Sequence, residues 1–185
     1  MSGSARRYSV CVYCSASTVD PVHLALATQV GTEIADRSWQ LVSGGGRVAM
    51  MGAVATAARA GGAHTLGVIP RHLVHREVAD IHADELLVTE TMRERKQIMA
   101  DRADAFLTLP GGIGTLEEFL EIWTSADLGI HDKPVVMLDP YGHYRGLFEW
   151  ITELHTRGFI GKAALERITM ATSVPAAFAA LRTSP

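Results

Sequence analysis

Three short segments carry residue types able to do chemistry at useful spacing. The first is Ser43-Gly44-Gly45-Gly46-Arg47-Val48-Ala49-Met50-Met51-Gly52, directly after an apolar run. Glycines there let a backbone turn tightly and approach a ligand closely. The second is Leu109-Pro110-Gly111-Gly112-Ile113-Gly114-Thr115-Leu116-Glu117-Glu118, which leaves one element and enters a helix. Free N–H groups from Gly112 to Thr115, helped by the helix dipole, would make an anion nest, and the Thr115 hydroxyl adds a donor. No Gly-Lys-Ser/Thr follows, so triphosphate hydrolysis of the Walker type is not expected, and one monophosphate fits better.

Glu117 and Glu118 are read in the first turn of that helix. Glu117 there would complement the helix dipole. Glu118 stands one helical turn after Gly114 and can point back to whatever the loop binds. A carboxylate beside a phosphate site could hold ribose hydroxyls, position water or offset a developing cation. The third segment is Met92-Arg93-Glu94-Arg95-Lys96-Gln97-Ile98-Met99. Met92, Arg95, Lys96 and Met99 share a helical face, so Arg95 and Lys96 could meet a ligand while Ile98 packs inward. A solvated charged helix is the plainer reading of this segment taken alone. A guanidinium does not give up its proton near neutrality, so Arg95 would bind phosphate, orient Glu118 or stabilise charge.

The first turn also fits the dinucleotide pattern formally, as Gly44-x-Gly46-x-x-Ala49. It follows the second strand rather than the first, and the strand Thr65–Ile69 carries no terminal acid for a ribose. A dinucleotide oxidoreductase is therefore disfavoured.

The elements that must position these residues alternate. Strands are expected at Ser9–Cys14, Gln40–Ser43, Thr65–Ile69, Ala105–Leu109, Pro134–Leu138 and Ile168–Ala171. Most are apolar throughout, as in parallel strands covered on both faces. The first helix starts at Asp20-Pro21 with Leu24, Ala27, Val30 and Ile34 as its apolar stripe. The second spans 50–60 and stops at Gly61-Gly62. The third spans 92–102, opened by a Thr91/Glu94 capping box. The fourth spans 115–127, with Leu116, Phe119, Leu120 and Trp123 facing the core. The fifth spans 144–157, and short helices near 162–166 and 175–181 close the chain. The stretch 71–90 is the least regular and reads as a lid or rim.

This pattern predicts an α/β, Rossmann-like, doubly wound and mostly parallel sheet with helices on both faces. We expect a flexible N-terminal segment at 1–7 and a single domain at 8–182. With 185 residues, 48% hydrophobic and 20% charged, the chain can bury its own core. A net charge of −3 argues against a nucleic-acid partner. No apolar run approaches a membrane span, and no leader is expected at the N-terminus. Cys11 and Cys14 are read as buried strand thiols rather than a redox or zinc pair, which fits a reducing cytoplasm. No metal is expected: the eight histidines are scattered, and His72 and His75 read as surface residues.

Together the segments resemble the Lonely Guy family of cytokinin-activating phosphoribohydrolases. That family carries Gly-Gly-Gly-x-x-Gly-x-Met-Gly, Met-x-x-Arg-Lys and Pro-Gly-Gly-x-Gly-Thr-x-x-Glu. Here these read Gly44–Gly52, Met92–Lys96 and Pro110–Glu118. The last two match fully, while Ala49 stands where the family usually has Gly. Order, spacing and the opening strand extend the resemblance over nearly the whole chain. Many such proteins were once labelled lysine decarboxylases, but no lysine here is set up for a pyridoxal Schiff base. The resemblance implies hydrolysis of the N-glycosidic bond of a cytokinin nucleotide or AMP, without a cofactor. It also implies Arg95 and Glu118 as the catalytic pair and a homodimer with the site near the subunit interface. Gly44, Gly45, Gly46, Met92, Lys96 and Pro110 through Thr115 (Pro110, Gly111, Gly112, Ile113, Gly114, Thr115) would bind the nucleoside monophosphate. The rival from another class is a nucleotide-binding module without turnover.

Overall fold

The structure, a computed structural model, describes residues 6–182. The expected flexible segment 1–7 therefore lies mostly outside the described residues. Arg6 and Arg7 are exposed, and Arg6 pairs with Asp104 at 2.7 Å. The described residues form two compact units, residues 6–12 with 16–104 and residues 13–15 with 105–182.

The first unit holds β1 (Ser9–Tyr13, its last residue counted with the second unit), α1 (Pro21–Asp36), β2 (Gln40–Ser43) and α2 (Ala49–Ala60). It continues with β3 (His64–Pro70), a 3₁₀ turn at Arg71–Leu73, β4 (Glu85–Thr89) and α3 (Met92–Arg102). Its strands run in the order β4-β3-β2-β1, each pair parallel. The second unit holds β5 (Ala105–Thr108), α4 (Ile113–Asp127), β6 (Val135–Leu138), α5 (Arg145–Thr156), α6 (Lys162–Glu166), β7 (Ile168–Ala171) and α7 (Val174–Ala180). There β5, β6 and β7 pair in parallel in that order. Parallel strands separated by helices are the α/β, Rossmann-like class expected from the sequence.

The local signals act as their chemistry dictates. The Asp20 carboxylate accepts the Val22 N–H at 2.9 Å, with Pro21 opening α1. The Thr91 hydroxyl accepts the Glu94 N–H at 3.1 Å, and the Glu94 carboxylate accepts the Glu90 N–H at 3.0 Å. That is a capping box with its return bond shifted back by one residue. Gly62 and Gly158 take left-handed φ values of 85° and 82° just past α2 and α5. Cys11 and Cys14 are buried free thiols. His72 and His75 are exposed, as expected.

Two expectations about the core need correction. In α1 the buried positions are Leu26, Ala27, Val30, Gly31, Ile34 and Ala35, while Leu24 is only half-buried. A close approach of α2 at Gly31 sets that face: a Cβ on residue 31 would strike the Val54 carbonyl. In α4 the inward residues are Thr115, Phe119, Ile122, Trp123 and Ala126, with Leu116 half-buried and Leu120 exposed. The helix begins two residues earlier than expected, and Trp123 Nε1 donates to the Ala164 carbonyl at 2.7 Å, which fixes its rotation. The sequence reading also missed β4. Among the described residues it pairs only with β3, and it is mostly half-buried, so it lacks the continuous apolar run of a central strand.

Candidate active site

In the first unit the Gly44 turn, β3 and α3 meet at one side chain. Arg95 is buried, an unusual position for an arginine. Its Nε donates to the Val68 carbonyl and its Nη2 to the Gly44 carbonyl, both at 3.0 Å. Nη1 has the Met92 sulfur, a weak acceptor, at 3.8 Å. The guanidinium is therefore fixed along its Nε/Nη2 edge, and Nη1 is the donor edge with capacity to spare. Gly44 makes this possible. A Cβ there would fall on Arg95 Nη2, so the first glycine of the turn is small for an arginine.

Gly45 has φ +72°, and its N–H lies 3.4 Å from the Ser43 hydroxyl. At the start of α2, Ala49 has φ +47°, a left-handed conformation that costs a side-chain-bearing residue about 1–2 kcal/mol. This is the position where the Gly44–Gly52 motif usually carries Gly, and here the alanine bears the strain.

The irregular segment after β3 is stitched to that turn. Arg47 N–H donates to the Val78 carbonyl at 3.0 Å, and Asp80 N–H to the Gly45 carbonyl at 2.8 Å. Gly46 and Ala79 form an antiparallel bridge. Asp80, buried, pairs with Arg59 at 2.9 Å. Further on, the Thr65 backbone N–H, with its hydroxyl, holds the Asp84 carboxyl below the usual carboxylate range. The stretch expected to be a lid or rim is thus fastened to the rest of its unit.

In the second unit the Pro110–Thr115 loop opens α4. Gly112 is the N-cap, and Leu116 N–H returns to its carbonyl at 3.0 Å. Helix geometry leaves the N–H groups of Ile113, Gly114 and Thr115 without intrahelical acceptors, the arrangement that binds anions. A Cβ on Gly112 or Gly114 would meet nothing within 4 Å, so both positions are open on their side-chain side. Gly111 differs, because a Cβ there would strike the Thr115 side chain.

Several residues that the sequence reading passed over brace this loop. Ser15 N–H donates to the Pro110 carbonyl at 3.3 Å. Tyr144 donates its phenol to the Leu109 carbonyl at 2.9 Å, and burial pushes that phenol far above the ordinary tyrosine range, so it remains a donor. His143 Nε2 lies 2.9 Å from the Gly111 carbonyl. Asp139 in turn accepts the backbone N–H groups of His143 and Tyr144, each at 2.8 Å. The available signal was Asp139-Pro140 directly after an apolar strand, an aspartate placed to cap the next turn of chain.

Glu117 and Glu118 need one correction. They are the fifth and sixth residues of α4, and no acidic residue occupies its first turn. The dipole effect fades within the first turn, so it does not account for Glu117. Glu118 remains four residues from Gly114 and on its face, half-buried. In α3, Arg95 and Met99 are buried, Lys96 is half-buried and Met92 exposed. Ile98, expected inward, is only half-buried because Met99 takes the core-facing position.

Parallel strands alternating with helices, with a glycine-rich turn at a helix start, define an α/β, Rossmann-like class of protein. The family model described as "Possible lysine decarboxylase" matches residues 51–181. A Mycobacterium marinum protein named "Cytokinin riboside 5′-monophosphate phosphoribohydrolase" is 58% identical over 162 residues, covering 88% of this chain and 87% of its own. The Mycobacterium tuberculosis protein of the same name is 55% identical, covering 90% and 89%. One from Arabidopsis thaliana is 42% identical, covering 89% and 78%. The chain belongs to this family, the Lonely Guy phosphoribohydrolases. Among solved structures it is similar to a molybdenum cofactor binding protein from Rippkaea orientalis, with TM-score 0.72 at 24% identity, covering 95% and 96% of the two chains. It is also similar to the molybdenum cofactor carrier protein of Chlamydomonas reinhardtii, with TM-score 0.71 at 22% identity, covering 96% and 97%. These likenesses concern the fold alone.

Proposed function

We propose that the protein hydrolyses the N-glycosidic bond of a cytokinin riboside 5′-monophosphate, or of AMP, releasing free base and ribose 5-phosphate. The observation that carries this is identity of 55–58% to relatives bearing that name, over about nine-tenths of each chain. The residues support it. The Gly111–Thr115 nest takes the 5′-phosphate, and binding energy from that remote group orients the ribose. The C–N bond breaks with positive charge developing on the ribose, as in other glycoside cleavages. The Glu118 carboxylate offsets that charge, holds ribose hydroxyls or activates water. Arg95 contributes fixed positive charge and its Nη1 edge, and never a proton. In this reading Lys96, Met92 and Gly44 to Gly46 complete the ligand's surroundings.

The same reading takes the active species to be a homodimer that needs no cofactor. It also places the enzyme in the cytoplasm, where two buried free thiols persist. Among the described residues no helix is long and apolar enough to cross a membrane.

The test incubates the protein with isopentenyladenosine monophosphate and with AMP, and follows free base and ribose 5-phosphate by chromatography. Base and sugar phosphate should appear in equal amounts. Tight nucleotide binding without release from either substrate would leave a binding module in its place.

A further inference from the structure

Glu77 belongs to none of the three motifs. It sits in the fastened segment after β3. Its Oε2 lies 3.7 Å from Arg95 Nη2, with the two side chains 16% and 6% exposed. That distance is a charge contact but too long for a hydrogen bond. The same Oε2 is buried and has no hydrogen-bond partner. Orphaned buried acceptors are rare in native proteins and call for a reason.

The backbone holds this carboxylate in place. Glu77 N–H donates to the Leu73 carbonyl at 2.8 Å, and the Glu77 carbonyl accepts from Arg47 N–H at 3.3 Å. Gly46 leaves room for it, since a Cβ there would press on the Glu77 Cβ and carbonyl at 3.1 Å. The next residue, Val78, has φ +49°, an outlier for a β-branched side chain. Such strain persists only where the surroundings over-determine the backbone. Here the strained residue directly follows Glu77.

The two carbonyls that Arg95 binds are neutral, so they orient the guanidinium without balancing its charge. Glu77 supplies the opposite charge on the Nη2 side. We propose that Glu77 is a positioning residue for Arg95: it holds the Nη2 side of the guanidinium against the Gly44 turn and leaves Nη1 as the edge presented to substrate. The inference rests on Arg95 serving the proposed hydrolysis.

The experiment compares wild type, Glu77→Gln and Glu77→Ala. It measures kcat and KM with AMP and isopentenyladenosine monophosphate, and melting temperature. It also follows the Arg95 side-chain N–H signals by ¹⁵N NMR, assigned with Arg95→Lys. Misplacing a catalytic group by a fraction of an ångström to an ångström costs up to ~10²-fold, so Glu77→Gln should lower kcat roughly 10- to 100-fold with KM little changed. Its Arg95 N–H signals should shift and exchange faster with water, and added formate should restore part of the kcat of Glu77→Ala. Wild-type kcat in Glu77→Gln overturns the proposal. So does early melting in which the surviving folded protein turns over at the wild-type rate, because Glu77 would then be structural. Wild type that releases no base removes the proposed activity instead. In that case the Arg95 signals decide for Glu77, and unchanged exchange in Glu77→Gln overturns its positioning role.

Discussion

Arg95 occupies the space that a side chain on residue 44 would need, and it donates to the Gly44 carbonyl at 3.0 Å. The first glycine of the turn and the arginine of the third helix are therefore one structural unit, although each would separately read as a ligand contact. Gly44→Ala should push the guanidinium out of its fork. Overpacking of this kind costs about 1–3 kcal/mol. Activity should fall well beyond that stability loss, as read by kcat on folded protein alongside urea denaturation.

Ala49→Gly should stabilise the protein. Relieving φ +47° recovers part of the left-handed penalty, while glycine's extra freedom in the unfolded chain offsets some of it. A net gain of about 0.5–1 kcal/mol is expected. It should appear as a higher urea midpoint with unchanged slope. A lower midpoint would mean that α2 needs the alanine's helix propensity more than it suffers from its backbone.

Gly112→Asp should separate folding from binding. Space in front of Gly112 is open, and aspartate is a good N-cap, so stability should stay within a few tenths of a kcal/mol. A fixed negative charge on the nest should nevertheless weaken AMP binding severely. Calorimetry on wild type and variant tests this, with adenosine as the control. Equal rates for nucleoside and monophosphate in wild type would remove the phosphate role of the loop.

Glu118→Gln should leave melting little changed and reduce kcat by ~10²-fold or more, the scale of losing one preorganised electrostatic contact. Arg95→Lys should recover little of the activity lost in Arg95→Ala, since an ammonium cannot span the Val68 and Gly44 carbonyls with a planar fork. Full activity in Glu118→Gln would overturn the role given to its charge.

Acid should destabilise the second unit through His131. Its Nδ1 accepts the Lys133 N–H at 3.2 Å while Nε2 lies 3.1 Å from the Ile122 carbonyl, a pattern only the neutral ring satisfies. Burial, the largest influence, lowers its pKa below the ordinary 6.5. The unfolded chain therefore takes up the proton first. This contribution to stability is present above pH 6.5 and is lost as pH falls from there through the lower folded value. Urea midpoints between pH 8 and about 5 should show the decline, and His131→Gln should flatten it.

The features legible in the sequence are those settled within one turn of chain. Asp20, Thr91 and the glycines after α2 and α5 act on partners two to four residues away, so their spacing is their geometry. The central strands announce themselves because burial on both faces demands continuous apolar runs. The three motifs supplied the family and the residues to watch. What the tertiary structure decided is how those residues are used. Arg95 finds its carbonyls 27 and 51 residues away, and no local pattern says that Gly44 is small for its sake. Edge strand β4 stays hidden because half-burial erases the pattern that marks a strand. Glu77 and the Asp139-His143-Tyr144 brace acquire meaning only when packing carries them to a charge or a carbonyl. An isolated carboxylate, histidine or tyrosine in a sequence is chemically complete without either.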